Sequence, residues 1–216
     1  MTDLENLFDS HTHHFTGKYR EIVQLTALSG EELPPLFSFG IHTEESRTEQ
    51  SGLEKIIRQL SGNPGFLAIG EIGLDTRYDT KAQQEALYIF QLELAARYHK
   101  PVILHCVNSW DRCRFLHEKH APGTPLIYHG FNKSSIVKRV LEYPKSIISI
   151  GESILTNPAL RKAVEEIPIQ RLLLETDMGE EDLIDTYRAV AEIKSVSLHP
   201  LIDSLNQNAK RIFNYE

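Results

Sequence analysis

Histidines and carboxylates in this chain recur at the ends of short apolar runs. His129, for example, directly follows Leu126-Ile127-Tyr128. The positions that share this placement are Asp9, His11, His13, Glu71, His105, His129, Glu175 and Asp177. Each run has the length and composition of a buried parallel strand. Because the carboxyl ends of parallel strands meet at one rim of an α/β sheet or barrel, we expect these side chains to gather there.

Imidazoles and carboxylates at one rim would make a site for one or two divalent cations. The expected ligands are His11, His13, Glu71, His105, His129 and Asp177. This mixture of nitrogen and oxygen ligands suits Zn²⁺ or Mn²⁺, and carboxylate-rich sites also take Mg²⁺. The set is too large for one tetrahedral ion but fits two ions that share a bridging carboxylate. Two such ions can activate a water and clamp the attacking and leaving oxygens, so the pattern indicates hydrolysis.

The parity of the strands supports this clustering. Residues two apart on a strand share a face, so Asp9, His11 and His13 would project together if the strand stayed extended that far. The same holds for Glu175 and Asp177. Cys106, beside His105, would point away from the site.

The rest of the chain alternates strand-like runs with amphipathic segments, which favours a parallel α/β fold. We predict strands near 4–9, 20–27, 36–41, 66–71, 101–105, 125–129, 146–151 and 171–176. We predict helices near 45–61, 81–99, 109–120, 133–142, 158–166, 181–195 and 198–213. The first two connections are shorter than a parallel crossover usually needs. The prediction is therefore one domain over residues 1–216, a TIM-type (β/α) barrel that is irregular and lacks outer helices in its N-terminal part.

Composition narrows the class of protein. At 216 residues, with 41% hydrophobic and 25% charged residues, the chain resembles an ordinary globular protein. Its net charge of −7 argues against general coating of nucleic acid or docking on a membrane surface. The acidic N-terminus predicts no signal peptide, and two cysteines are too few for a disulfide framework, so the cytoplasm is the expected location. No obligate protein partner is indicated.

Several segments, in this order, resemble the motifs of the TatD family of metal-dependent hydrolases and deoxyribonucleases, which are amidohydrolase-like TIM barrels. They are Asp9-Ser10-His11-Thr12-His13, Gly70-Glu71-Ile72-Gly73-Leu74-Asp75, Pro101-Val102-Ile103-Leu104-His105, Tyr128-His129-Gly130-Phe131, Glu175-Thr176-Asp177 and Asn208-Ala209-Lys210-Arg211-Ile212-Phe213. One motif alone would be weak, but all of them in family order make a specific signal.

The resemblance implies a role for each matching residue. His11, His13, Glu71 and Asp177 would hold one cation, and His105 and His129 a second, with Glu71 bridging. Asp177 and Glu71 would be the catalytic carboxylates, with Asp177 orienting or deprotonating the attacking water. Asp9 and Glu175 would accept the free N–H of a ligand imidazole. The implied substrate is a phosphodiester of DNA, cleaved by a water that two cations (Mg²⁺, Zn²⁺ or Mn²⁺) activate.

The chain departs from the family at the residue two positions after His105. The family usually has an arginine there, and this chain has Val107. The missing guanidinium is a phosphate partner that a cation on a rim loop would have to replace. The candidates are Lys18, Arg20, Arg77, Arg112 and Lys133.

Two other functions remain open on the sequence alone. The same two-metal centre would also serve a hydrolase of a small phosphoester, ester or amide. The third hypothesis is that the chain is a non-catalytic, metal-binding relative of such enzymes. His42, at the end of a predicted strand, is equally consistent with substrate contact and with plain loop structure.

Overall fold

The structure is a computed structural model that describes residues 6–27, 32–45 and 50–215. Its residues separate into two compact units. The first contains the chain up to Val23 together with the segment from His129 onward, and the second is Gln24–Tyr128. The expectation of a single domain stays a prediction.

Eight strands form one sheet whose strand order follows the order of the chain. They are β1 (Phe8–Thr12), β2 (Arg20–Leu25), β3 (Phe37–Phe39), β4 (Phe66–Asp75), β5 (Val102–Val107), β6 (Leu126–Tyr128), β7 (Ser146–Ile150) and β8 (Leu172–Leu174). In the first unit β1 pairs with β2 and β7 with β8; in the second β4 pairs with β3 and β5, and β5 with β6. All of these pairings are parallel.

The helices follow the predicted alternation. They are α1 (Gln50–Leu60), α2 (Lys81–Arg97), α3 (Trp110–His120), α4 (Val137–Glu142), α5 (Ser153–Thr156), α6 (Pro158–Glu166), α7 (Leu183–Lys194) and α8 (Leu198–Phe213). Short 3-10 turns occupy Thr43–Glu45, Ser134–Ile136 and Ile169–Arg171. No helix in the described part of the chain is long and apolar enough to cross a membrane.

Two strands extend beyond their predicted ends, and one short helix was not predicted. β1 continues to Thr12, because the backbone beyond Asp9 still pairs with a neighbour, Thr12 with Val23 of β2. β4 continues to Asp75, since Leu74 and Asp75 pair with β5. The one-turn helix α5 was not predicted, as four residues are too few to show a helical period. Residues 4 and 5, where the first strand was expected to begin, lie outside the described residues.

The connection from β1 to β2 contains no helix, as the sequence predicted for this part of the chain. Residues 13–19 form the link, and the buried Glu21 organises it. The Glu21 carboxylate accepts hydrogen bonds from the backbone N–H groups of Thr16 and Gly17, at 2.8 and 2.6 Å, and from the Thr16 hydroxyl. A satisfied buried carboxylate therefore replaces the usual crossover helix in fixing this loop.

Two glycines allow β4 and β5 to approach closely. A Cβ built on Gly70 would lie 2.5 Å from the Cβ of Ile103, and one built on Gly73 would lie 1.8 Å from the carbonyl oxygen of His105. Only glycine fits at such separations. The glycines on either side of Glu71 and Ile72 thus allow the close β4–β5 approach beside His105.

Two buried side chains form hydrogen bonds that connect helices α7 and α8 of the first unit to β1 and to the start of β8. The hydroxyl of Tyr187 in α7 donates to the carbonyl of Phe8 and accepts its N–H, at 3.0 and 3.2 Å. The amide of Asn208 in α8 donates to the carbonyls of Ile169 and Leu172, at 2.6 and 3.0 Å. These bonds fix the start of β1 and the start of β8.

Candidate functional site

In the first unit, three predicted ligands lie together. One ligand atom each from His11, His129 and Asp177 falls within 4.8 Å of the others. His11 is fully buried, and its ring centroid is 4.5 Å from that of His129. His13 Nε2 lies 3.5 Å from Asp177 Oδ1, and His11 Nε2 lies 3.6 Å from the same oxygen. The carboxylate of Asp177 therefore has two imidazole neighbours.

Backbone pairing brings Asp177 to the end of β1. Its N–H donates to the carbonyl of His11 at 2.9 Å, and its carbonyl accepts the N–H of His13 at 3.2 Å. Asp177 has a positive φ of 55°, a left-handed conformation that aspartate tolerates better than most residues. The turn after β8 thus places the carboxylate between the two histidines of the first motif.

Asp9 supports this arrangement through the backbone. Its carboxylate accepts the hydroxyl of Thr176 at 2.6 Å, the N–H of Thr176 at 3.1 Å and the N–H of His11 at 3.2 Å. Burial raises the pKa of Asp9 to about 8, against the opposing effect of the Thr176 hydrogen bonds. Asp9 therefore links Thr176, the residue before Asp177, to β1. This contact differs from the hydrogen bond to a ligand imidazole that was expected for Asp9.

Glu175 lies beside His129. Its Oε1 is 3.7 Å from His129 Nδ1, and the same oxygen accepts the backbone N–H of Gly130. Burial would raise the pKa of Glu175, but the neighbouring imidazoles of His129 and His11 hold it below its ordinary value. An ionised carboxylate at this position suits the orienting role that the family resemblance implies for Glu175.

The second unit holds a group of the same chemistry. Ligand atoms of His42, Glu71 and His105 all lie within 4.8 Å of one another. His105 Nδ1 is 2.6 Å from Glu71 Oε1, and His42 Nε2 is 3.5 Å from that oxygen. The rings of His42 and His105 meet edge to face at 4.4 Å. Glu71 is 5% exposed, so its charge needs these partners.

Asp75 contacts the second ring nitrogen of His105, Nε2. Its Oδ2 lies 3.0 Å from His105 Nε2 and 2.5 Å from Arg77 Nη2. Although burial raises the pKa of Asp75, its bonds to Arg77 and His105 lower it well below the usual range. This contact of Asp75 with Nε2 therefore fixes the orientation of the His105 ring.

The structure thus brings together the predicted ligands within each unit and adds two residues. His42 joins Glu71 and His105, and Asp75 orients His105. The sequence signal for His42 was its position at the end of a predicted strand, and that for Asp75 was its place in the motif that contains Glu71. The grouping with His42 was missed because a lone histidine after a three-residue strand has no distinctive spacing. Each group combines imidazole nitrogen with carboxylate oxygen, so the residues present fit a divalent cation. The expected pairing of His105 with His129 on one ion stays a prediction.

Residues 7–214 match the sequence profile of the family described as TatD related DNase. Over 150 residues the chain is 33% identical to the 3′-5′ ssDNA/RNA exonuclease TatD of Yersinia pseudotuberculosis, an alignment that covers 64% of this chain and 55% of that protein. It is 28% identical over 207 residues to the uncharacterized metal-dependent hydrolase YcfH of Escherichia coli K12, covering 88% of this chain and 77% of that one. The chain therefore spans little more than half the length of the exonuclease.

The fold has solved counterparts. The crystal structure of YJJV, a TatD homolog from Escherichia coli K12, superposes with a TM-score of 0.82 at 23% identity and covers 99% of this chain and 100% of the other. A TatD family hydrolase from Entamoeba histolytica gives a TM-score of 0.77 at 18% identity, covering 96% and 97%. These likenesses confirm the expected TIM-type fold.

Proposed function

This chain belongs to the TatD related DNase family, and from that premise we propose that it is a metal-dependent hydrolase of phosphodiester bonds in DNA. The observation that carries the proposal is that each unit gathers imidazoles and carboxylates at strand ends within 4.8 Å of one another. The relatives named above, a single-strand exonuclease and a metal-dependent hydrolase, support the same activity.

The proposed cofactors are two divalent cations, Mg²⁺, Zn²⁺ or Mn²⁺. His11, His129 and Asp177, with His13 beside them, are the ligands that we propose in the first unit, and Glu71, His105 and His42 those in the second. When bound, divalent cations supply Lewis acidity, which acidifies a coordinated water and neutralises charge on the phosphate.

The chain's own residues would direct the proton and the geometry. Asp177 is the proposed general base because its side chain is 35% exposed, so a water can reach it. Asp9 accepts a hydrogen bond from Thr176, the residue before Asp177, and Glu175 lies beside the ring of His129. These contacts keep the base and the ligands in a fixed arrangement before substrate arrives.

The decisive experiment is hydrolysis of labelled single-stranded and duplex DNA by the metal-loaded protein. Activity that is lost with a chelator, restored by added Mn²⁺ or Mg²⁺ and abolished in His129→Ala supports the proposal. A protein that binds metal but releases no product from DNA contradicts it. His199→Ala is the matched control, since His199 is exposed on α8.

A second candidate is a two-metal hydrolase of a small phosphoester, ester or amide. Val107, which occupies the family's arginine position, favours it, because one phosphate contact is absent. Turnover of chromogenic small esters without turnover of DNA would establish this alternative. Stoichiometric metal with neither activity would identify the non-catalytic relative that the sequence left open.

A further inference from the structure

A pocket in the second unit opens beside the His105 cluster. Its volume is about 950 Å³, at the upper end of the range for sites that enclose small ligands. The end of β4 and the loops that follow β4 and β5 form its walls. Because Asp75 lines this pocket and contacts His105, the pocket lies one side chain away from a proposed metal ligand.

The cation best placed in this pocket is Arg77. It bonds Asp75 through Nε and Nη2, so Nη1 is not engaged by that carboxylate, and its side chain is 64% exposed. Arg112 is bonded in the same way to Glu85, and Lys18 is paired with Asp182. Arg77 differs from both because its partner, Asp75, also contacts His105. Arg77 therefore offers a guanidinium edge to a phosphate near His105.

The charge of the lining limits what this pocket can hold. Three basic residues and four acidic ones line it: Arg77, Lys81, Arg112, Asp75, Asp79, Glu85 and Asp111. Several phosphates placed inside this pocket would meet net repulsion. A ligand with one phosphate and a large uncharged part fits better.

Aromatic side chains provide the surface for that uncharged part. Trp110, the first residue of α3, and Tyr78 both line the pocket and are partly exposed. Bases of single-stranded nucleic acid stack on such rings, whereas bases in a duplex already stack on each other.

We propose that this pocket binds one nucleotide of a single-stranded nucleic-acid substrate, with its base stacked on Trp110 and its phosphate held by Arg77. The inference rests on the proposed hydrolysis of phosphodiesters and names the strand form and a subsite for it. Arg77 would then take over the phosphate contact that Val107 cannot make. Asp75 links this subsite to His105, so the nucleotide that it binds would flank the phosphate to be cleaved.

Trp110 is the only tryptophan in the chain, so tryptophan fluorescence, excited selectively, reports on this pocket alone. The metal-loaded protein is titrated with a short single-stranded oligodeoxynucleotide whose phosphorothioate linkages resist cleavage, and in a second arm with RNA of the same sequence. We expect saturable quenching by a single strand and much weaker quenching by the duplex. Unchanged emission with a strand that binds in an anisotropy assay would overturn the proposal.

Variants test the two contacts separately, with a labelled oligonucleotide as the probe. Trp110→Ala is expected to weaken binding about tenfold or more, and Trp110→Phe to retain most of it, because the ring is kept. Phe115→Ala is the control, since Phe115 is exposed on the same helix but does not line the pocket. Equal affinities for Trp110→Ala and Phe115→Ala would overturn the stacking contact.

For Arg77→Gln we expect a raised KM and a weaker dependence of binding on salt, since one phosphate contact is lost. The metal content of this variant is measured alongside, because Arg77 also holds Asp75. An unchanged KM together with an unchanged salt dependence would overturn the phosphate contact.

The two proposals fail in different ways. Binding of the resistant strand does not require turnover, so quenching without hydrolysis would contradict the proposed function and leave the subsite standing. Hydrolysis of DNA with a normal KM by the Trp110→Ala variant would support the proposed function and contradict the subsite.

Discussion

His105 Nδ1 lies 2.6 Å from Glu71 Oε1, and this contact joins the neighbouring strands β4 and β5. It depends on Gly70 and Gly73, which let β4 and β5 approach more closely than any other residue would. The motif Gly70-Glu71-Ile72-Gly73 thus combines a proposed ligand with the backbone needed to bring it beside another.

Because only glycine fits where β4 and β5 approach, adding a single methyl group there is expected to lower the stability of the fold substantially. Gly73→Ala places a Cβ against the carbonyl of His105, so we expect a loss of about 3 kcal/mol in the free energy of unfolding and weaker metal binding. Gly52→Ala in α1 is the control: its Cβ meets nothing within 4 Å, and the change should be neutral or stabilising. Urea unfolding of the two variants provides the comparison, and similar midpoints would contradict the packing argument.

His42 is expected to contribute to metal binding although no motif marks it. Because its Nε2 lies 3.5 Å from Glu71 Oε1, removing the ring in His42→Ala should lower metal affinity by about tenfold or more in calorimetric titration. His199→Ala, at an exposed position, should bind as the wild type does. If both variants bound metal equally well, His42 would have no place among the ligands.

Asp177→Asn separates proton transfer from folding. The amide keeps the size of the side chain and the backbone pairing with His11 and His13, but it is a far weaker base. We expect kcat on single-stranded DNA to fall by about 10²–10⁴-fold, the usual contribution of a general base. Thermal unfolding of the metal-free variant should match that of the wild type, and an undiminished kcat would remove Asp177 from its proposed role.

Metal should stabilise the folded protein, because the ligand groups are assembled only in the native state. With free metal at about 100 times its Kd, one site contributes about 2.7 kcal/mol, which corresponds to a rise in Tm of about 5–10 °C. Differential scanning calorimetry with Mn²⁺, followed by excess chelator, measures this rise and its reversal. The double variant Glu71→Gln/His105→Ala should show a smaller rise, and a rise equal to that of the wild type would argue against a site at these residues.

The C-terminal motif has a structural role that can be measured separately. Asn208→Ala would leave the carbonyls of Ile169 and Leu172 without their amide donor, at a cost of about 1–3 kcal/mol in the free energy of unfolding. Gln207→Ala, one residue earlier and exposed, should change it by less than about 0.5 kcal/mol. Chemical denaturation of the pair decides whether Asn208 acts through β8.

The sequence by itself determined the family, the parallel α/β fold and the residue types of the site. Strand-like runs that end in His, Glu or Asp are local patterns, and the position of a ligand at a strand end follows from them. The helix-free link between β1 and β2 was also predictable, because its length excludes a usual crossover.

Only the tertiary structure decided which of these side chains touch. His42 and Glu71 are 3.5 Å apart in space but separated by α1 in the chain, and no periodicity links them. Likewise, five basic residues were equal candidates for the missing arginine until the contacts of Asp75 with both Arg77 and His105 placed Arg77 beside the second group of ligands. Pairing across strands and competition among charged groups depend on distances between remote segments, and the linear chain does not contain those distances.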